Sequence, residues 1–247
     1  MRRLLNWQAI MGLVFIAISV ALFYLHYMLF HDSKYIFMYI LAAIAFTFFE
    51  ILLVTLVIQG LLNYREKRAL LNKLNMVIGA FYSEVGTDLM DFFLAFDRRS
   101  PEIAGQLLVN DKWSDRMFAD AGRAVMAYRG SLDDAAPGAD RLKAFLASKR
   151  DFLLALLENP NLLDHDTFTN LLWAVFHLME ELAKRRSLSN LSNNDFQHLV
   201  NDMRRVYGLL LSEWLSYMKH LKRSYPYLFS LAVRTNPFDP NAAVELK

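Results

Sequence analysis

Two long apolar runs near the amino terminus dominate the hydrophobic pattern of this chain. The first extends from Trp7 to Phe30 and the second from Ile36 to Leu62, with only His31 to Tyr35 between them. A helix needs about 20 mostly apolar residues to cross a membrane. The pattern therefore predicts a transmembrane hairpin in residues 1–62, with spans at about 7–30 and 36–62. A cleaved signal sequence is the alternative for the first run, but such sequences have an apolar core of about 7–15 residues.

Basic residues flank both runs on the same side of the predicted hairpin. They are Arg2, Arg3, Arg65, Lys67, Arg68 and Lys73. The short connection carries only Lys34, whose charge is offset by Asp32. Because basic residues next to a span stay in the cytoplasm, this asymmetry predicts that both termini are cytoplasmic. It also makes the lipid bilayer a predicted partner.

After residue 62 the apolar residues recur every three or four positions, which is typical of one face of an amphipathic helix. The clearest stripe contains Leu70, Leu74, Val77, Ile78, Phe81, Val85, Leu89, Phe92 and Phe96. No proline interrupts the chain from Ile36 to Arg99. We therefore expect a juxtamembrane stalk helix at 63–99 that continues the second span. Gly79 and Gly86 predict a bend or a close packing contact in it.

The same periodicity continues to residue 234 and predicts a cytosolic bundle of about five or six helices over 100–234, packed with the stalk. A proline follows Ser100, as at a helix start, and further helices are expected at 111–128, 139–157, 167–186, 195–223 and 227–233. A segment rich in glycine and aspartate at 130–138 is a predicted loop. The prolines after Thr235 predict an extended tail at 235–247. No strand pattern is present, so the predicted fold class is all-α.

Composition separates the two parts of the chain and excludes several classes of function. Residues 1–62 carry only five charged side chains, whereas the remainder has the charge content of an ordinary soluble domain. The net charge of the whole chain is +2, so no nucleic-acid partner is indicated. The chain has no cysteine, which excludes disulfides, thiolate metal sites and cysteine nucleophiles.

Glu50 is an ionisable residue near the middle of the second predicted span. A charged side chain there costs about 2.5–3.5 kcal/mol on insertion scales. Counting from the connection places Glu50 level with 16–19, so Ser19 could donate a hydrogen bond to it. A protonated carboxyl bonded to Ser19, Thr47 or a backbone carbonyl is the structural interpretation. The functional alternatives are a cation or proton path in an oligomer, or pairing with a basic residue of another chain.

Two histidines and two carboxylates form a candidate metal site. His177 and Glu181 are four residues apart on one predicted helix, as are His198 and Asp202 on the next. If the two helices form an antiparallel hairpin, His177 is level with Asp202 and Glu181 with His198. Such a set could bind zinc, iron or manganese. The sequence itself does not require any cofactor.

The helical wheel argues against this metal site. His177 and Glu181 lie about 160° and about 120° from the centre of their helix's apolar face. On the next helix, His198 and Asp202 lie about 130° and about 90° from the corresponding centre. Ligands of a buried ion should face inward, so two solvated polar faces with i,i+4 pairs are the favoured interpretation.

The segment after the second span resembles the juxtamembrane segment of uncharacterised prokaryotic membrane proteins with two spans and a cytosolic helical domain. The resemblance is carried by Arg65-Glu66-Lys67-Arg68, by Lys73 to Phe81 and by Ser83 to Gly86. It implies a prokaryotic inner membrane as the location of the protein and implies no activity.

These features predict a membrane-anchored interaction, scaffold or regulatory protein that presents a helical bundle to a protein partner or to a second copy of itself. Phosphate-binding loops, zinc-protease, serine-hydrolase and kinase motifs are missing from the sequence, so an enzyme is not expected. One alternative is an oligomeric ion channel or transporter accessory subunit that uses Glu50. A second is a metal-binding helical-bundle enzyme.

Overall fold

The first two helices contain both apolar runs. The computed structural model describes residues 2–132, 138–162, 166–188 and 191–245, and these contain helices, turns and loops but no strand. Helix α1 spans Arg2–Phe30 and helix α2 spans Ser33–Phe81. The connection is reduced to two residues. His31 has a φ of 51°, which ends α1 in the left-handed conformation common at helix C-termini, and the Asp32 carboxylate accepts the Tyr35 backbone N–H at 3.1 Å and caps α2.

The chain divides into two compact units, Met1–Lys67 and Arg68–Lys247. In the first unit the segments Ile10–Phe30 and Ser33–Glu66 are both long and apolar enough to cross a membrane, and their apolar windows are not buried inside the chain. Their leucine, isoleucine, valine and phenylalanine side chains are mostly exposed. The prediction of two apolar helices followed by a helical domain is confirmed.

The predicted stalk is helical but changes type after α2. A single π-helical turn, Tyr82–Gly86, separates α2 from helix α3, Thr87–Phe96. The carbonyl of Tyr82 accepts the Thr87 backbone N–H in the wider i→i+5 pattern, and it also accepts the Thr87 hydroxyl at 2.9 Å. A Cβ at Gly86 would lie 2.5 Å from the Tyr82 ring, so glycine is required here for close packing.

Besides a short 3₁₀-helix at Pro160–Leu162, seven more α-helices follow in the second unit among the described residues. They are α4 (Ser100–Ala104), α5 (Asp115–Ala127), α6 (Ala139–Ser148), α7 (Arg150–Leu157), α8 (Asp166–Lys184), α9 (Asn193–Ser224) and α10 (Pro226–Arg234). The single helix expected at 139–157 is two helices, because Lys149 has a non-helical backbone conformation between them. Residues 133–137 of the predicted loop lie outside the described residues.

Helices α8 and α9 form the centre of the second unit, and α9 also contacts α3, α5 and α10. Phe168 on α8 is fully buried and packs edge-to-face on Phe81 with ring centroids 5.4 Å apart. The ring of Tyr82 stacks on Tyr217 of α9, and its hydroxyl donates to the carbonyl of Leu210 at 2.8 Å. These contacts hold the segment after α2 in the same core as α8 and α9.

The segment after α10 packs against this core where the sequence predicts an extended tail. Asn236 and Phe238 are buried, and the Asn236 side chain donates to the carbonyl of Leu107 at 2.8 Å. The Phe238 ring meets Trp214 of α9 edge-to-face. Turns therefore replace the extended conformation at the start of the tail.

Candidate functional site

The two polar residues predicted inside the spans are not paired with each other in the described part of the chain. Glu50 and Ser19 are both exposed on their helices, and no hydrogen bond of the Glu50 carboxyl occurs among the described residues. Thr47, the other predicted partner, donates its hydroxyl to the carbonyl of Ala43 at 2.8 Å. Ser19 instead lines a cavity of about 380 Å³ together with His26 and Tyr35. Within the described part of the chain, the Glu50 carboxyl is therefore left without a partner.

The basic residues that flank the spans are described only in part. Arg65 and Lys73 are exposed. The side chains of Arg2, Arg3, Lys67 and Arg68 lie outside the described set. The exposed pair is compatible with contact to water or lipid headgroups.

The second unit brings the two histidines and two carboxylates of the candidate metal site together. The Asp202 Oδ2 atom lies 3.4 Å from His177 Nε2 and 3.5 Å from His198 Nε2. His198 Nε2 lies 3.8 Å from Glu181 Oε2. One donor atom from each of His177, His198 and Asp202 lies within 4.8 Å of those of the other two.

This arrangement follows from the antiparallel pairing of α8 and α9. Each helix carries two of the residues four positions apart, so both project from the same side of their helix. The helix α9 begins at the cap of Ser192, whose hydroxyl accepts the Asp195 backbone N–H at 3.2 Å. The packing of α8 against α9 places His177 opposite Asp202 and Glu181 opposite His198.

The burial of the cluster differs between its members. The side chains of His177 and His198 are 49% and 54% exposed, as the helical wheel predicts for a solvated face. Asp202 is only 7% exposed, where the wheel predicts a position at the edge of the buried face. Its Oδ2 atom is buried and has no hydrogen-bond partner among the described residues.

An arginine adjoins the cluster and organises its acidic side. The guanidinium of Arg185 donates to Glu181 Oε2 at 2.6 Å and to Asp195 Oδ1 at 2.5 Å. Hydrogen bonds from Arg185 lower the pKa of both Glu181 and Asp195, and the same carboxylates raise the pKa of Arg185. Glu181 is therefore held as a carboxylate beside His198.

A second polar cluster, around Asp97, escapes the sequence analysis. Asp97 is 3% exposed, and its carboxylate accepts the backbone N–H groups of Ser131 at 2.8 Å and Arg99 at 3.0 Å, and the hydroxyl of Tyr128. Burial and the hydrogen bond to Asp97 raise the pKa of Tyr128. An aspartate that accepts the backbone N–H two residues further on, as Asp97 does from Arg99, is typical of a turn, so this cluster stabilises the loops around Asp97.

The fold and the clusters define an all-helical protein with two exposed apolar helices and a separate helical domain. The chain belongs to the MJ1433 family. Residues 2–62 match the description "MJ1433, N-terminal helical domain" and residues 70–234 match "Uncharacterized protein MJ1433, C-terminal helical domain". The family assignment agrees with the resemblance drawn from the juxtamembrane segment.

A relative in Methanocaldococcus jannaschii has the printed name "Uncharacterized protein MJ1433". It is 42% identical over 239 residues, which cover 97% of this chain and 96% of the relative. No solved structure matches this chain.

Proposed function

We propose that this protein is a two-span protein of the prokaryotic inner membrane, with both termini in the cytoplasm, that acts as an interaction, scaffold or regulatory protein. Its helical domain is presented in the cytoplasm, and its apolar helices associate with a second copy of the chain. The observation that carries this proposal is the exposed apolar surface of α1 and of the first part of α2, with Glu50 uncovered in the middle of it.

The chemistry of Glu50 favours a second copy of the chain as the molecule that packs against this apolar surface. A carboxyl group left in hydrocarbon without a partner is costly, and the described residues of one chain supply none. Two copies related by a two-fold axis place equivalent surfaces against each other. Two protonated Glu50 carboxyls can then donate to and accept from one another across that axis, since a protonated carboxyl has both capacities.

Orientation can be mapped with single cysteines, because the chain contains none. We expect Ser33→Cys, at the exposed first residue of α2, to react with an impermeant maleimide added to intact cells. Ser148→Cys, at the exposed end of α6, should react only after the cells are permeabilised. The reverse labelling pattern would contradict the proposed orientation.

Association can be tested by native mass spectrometry of the full chain in detergent and in nanodiscs. We expect a dimer for the wild type and a monomer for Glu50→Leu. Gln59→Leu removes another exposed polar group of the same helix and is the matched control, which should remain dimeric. A monomeric wild type would refute self-association, and a dimer that persists in Glu50→Leu would remove Glu50 from the contact.

The same mass measurement distinguishes an oligomeric channel from the proposed dimeric scaffold. Two spans cannot enclose a pore, so an ion path would need about four or more copies around the Glu50 carboxyls. A larger ring with a cation flux that is lost in Glu50→Gln would favour that alternative over a dimeric scaffold.

A further inference from the structure

We propose that His177, His198 and Asp202 form a binding site for a first-row divalent transition-metal ion, with Zn²⁺ as the ion used to test it. The site is in the second unit, on α8 and α9. It does not depend on the proposed membrane orientation or on Glu50.

The distances between the donor atoms fit a shared metal better than direct hydrogen bonds. Bonds of about 2.0–2.1 Å from a tetrahedral Zn²⁺ place neighbouring donors about 3.3–3.4 Å apart. The two His Nε2 atoms lie 3.4 and 3.5 Å from Asp202 Oδ2, and the three donor atoms all lie within 4.8 Å of one another, so a shared ion would draw the two imidazoles closer together. A charge-assisted hydrogen bond would bring nitrogen and oxygen to about 2.7–2.9 Å.

The state of Asp202 is an independent indication of a ligand. Its Oδ2 atom is withdrawn from water and accepts no hydrogen bond among the described residues, although it faces two imidazole nitrogens. Leaving a buried carboxylate oxygen without a partner is costly. A cation between the three donor atoms would satisfy that oxygen and both nitrogens at once.

The exposure of the histidines gives the ion a route from solvent and leaves room for further ligands. His177 and His198 are about half exposed, so hydrated metal can reach them without opening the core. Glu181 stands next to His198 and is anchored by Arg185. We assign Glu181 a supporting position beside the ion, with the remaining coordination open to water.

Two imidazoles and one carboxylate are also the donor set that selects among metals. The two imidazole nitrogens suit Zn²⁺ and Fe²⁺ and disfavour Ca²⁺ and Mg²⁺, which prefer oxygen ligands throughout. The ion would join α8 to α9, the central helices of the second unit. Its binding should therefore stabilise the helical domain by linkage.

The test uses the full chain in detergent, stripped with EDTA and then titrated with Zn²⁺ in competition with a chromogenic chelator near pH 7.5. We expect about one Zn²⁺ per chain. His177→Ala and His198→Ala should each weaken binding by more than about 100-fold, because loss of even an outer partner costs about 10–100-fold. Both side chains are about half exposed, so the two variants should fold. X-ray absorption at the zinc edge should show nitrogen and oxygen ligands at about 2.0–2.1 Å.

Glu180→Gln is the matched control for these variants. Glu180 neighbours Glu181 on α8 but pairs with Arg150 and Lys184 instead of the cluster. The Glu180→Gln variant should bind Zn²⁺ with the same affinity as the wild type. Less than about a tenth of an equivalent bound to the wild type, or unchanged affinity in both histidine variants, would overturn the proposal.

Discussion

The two units of this chain place their apolar side chains in opposite ways with the same secondary structure. Around Phe46 in α2, apolar side chains point outward on all sides, and the ring of Phe46 is 63% exposed. Around Phe168 in α8, apolar side chains point inward, and that ring is fully buried. A helix that is apolar all round suits a hydrocarbon solvent, whereas a helix with one apolar stripe suits water. The comparison teaches that the surroundings, rather than the helix, decide where the apolar surface lies.

Helix α2 shows both patterns of apolar side chains, exposed and buried, within one continuous helix. All side chains from Tyr39 to Glu66, apart from Ile40, are exposed. From Leu74 onward, every third or fourth side chain is buried, namely Leu74, Ile78 and Phe81. The change of pattern coincides with the change of unit after Lys67. The boundary between the two units is therefore marked by the pattern of side-chain exposure and not by a break of the helix.

The largest effect should come from emptying the core of the second unit. Phe168→Ala removes a fully buried ring that packs on Phe81. We expect it to lower the free energy of unfolding by about 3–5 kcal/mol. Chemical denaturation of the full chain in detergent, followed by tryptophan fluorescence, measures this, because three of the four tryptophans lie in the second unit.

Phe46→Ala is the control that sharpens the comparison. It removes the same ring from an exposed position in the first unit, so the unfolding of the second unit should change by less than about 0.5 kcal/mol. Equal destabilisation by the two variants would contradict the separation of the chain into two differently solvated units.

A charge placed on the apolar surface should have the next largest effect. Leu52→Lys puts an ammonium group on α2, on a different side of the helix from Glu50, and should cost about 2.5–3.5 kcal/mol of insertion free energy. We expect a smaller fraction of the protein in membranes after alkaline extraction. Leu108→Lys, at a position of the second unit that is 40% exposed, should leave both insertion and stability unchanged. A membrane fraction of Leu52→Lys equal to that of the wild type would mean that this part of α2 does not lie in hydrocarbon.

The sequence predicts the helices well where periodicity and capping agree. The structure begins α8 and α9 within two residues of the predicted starts and ends them within two of the predicted ends. The π-helical turn at Tyr82–Gly86 is not predicted, because no sequence pattern marks one wider hydrogen bond. The break at Lys149 is also not predicted, because no glycine or proline lies near it in the sequence.

The candidate site is predictable in position but not in burial. Spacings of four residues on two antiparallel helices place His177 level with Asp202 from sequence alone. A helical wheel assumes one buried stripe, whereas α9 contacts α8 and also α3, α5 and α10. More of its surface is therefore covered, and Asp202 becomes buried. The buried Asp202 Oδ2 atom without a hydrogen bond, on which the proposed metal site rests, can be recognised only from the packing of the neighbouring helices.

The smallest expected effect concerns His220, near the end of α9. Burial and the nearby charge of Arg223 lower its pKa below the ordinary 6.5. The folded chain therefore binds this proton less readily than the unfolded chain. The contribution of neutral His220 to stability is therefore complete above pH 6.5, and it is lost as the pH falls through the lowered pKa. The carboxylates of Glu181 and Asp195 also have lowered pKa values, so their contributions are lost only in more acid solution.

Thermal unfolding of the EDTA-treated protein between about pH 7.5 and about pH 5 separates these groups, because only histidines titrate in that range. The midpoint should fall with pH in the wild type and fall less in His220→Gln, which keeps a neutral polar group at that position. His177 and His198 are present in both proteins, so their effects cancel in the difference. An equal fall in both proteins would show that His220 is protonated as easily in the folded as in the unfolded chain. Burial among the aromatic rings beside α10 would then not exclude the proton, and the contrast between a dry core and a wet surface would not extend to this end of α9.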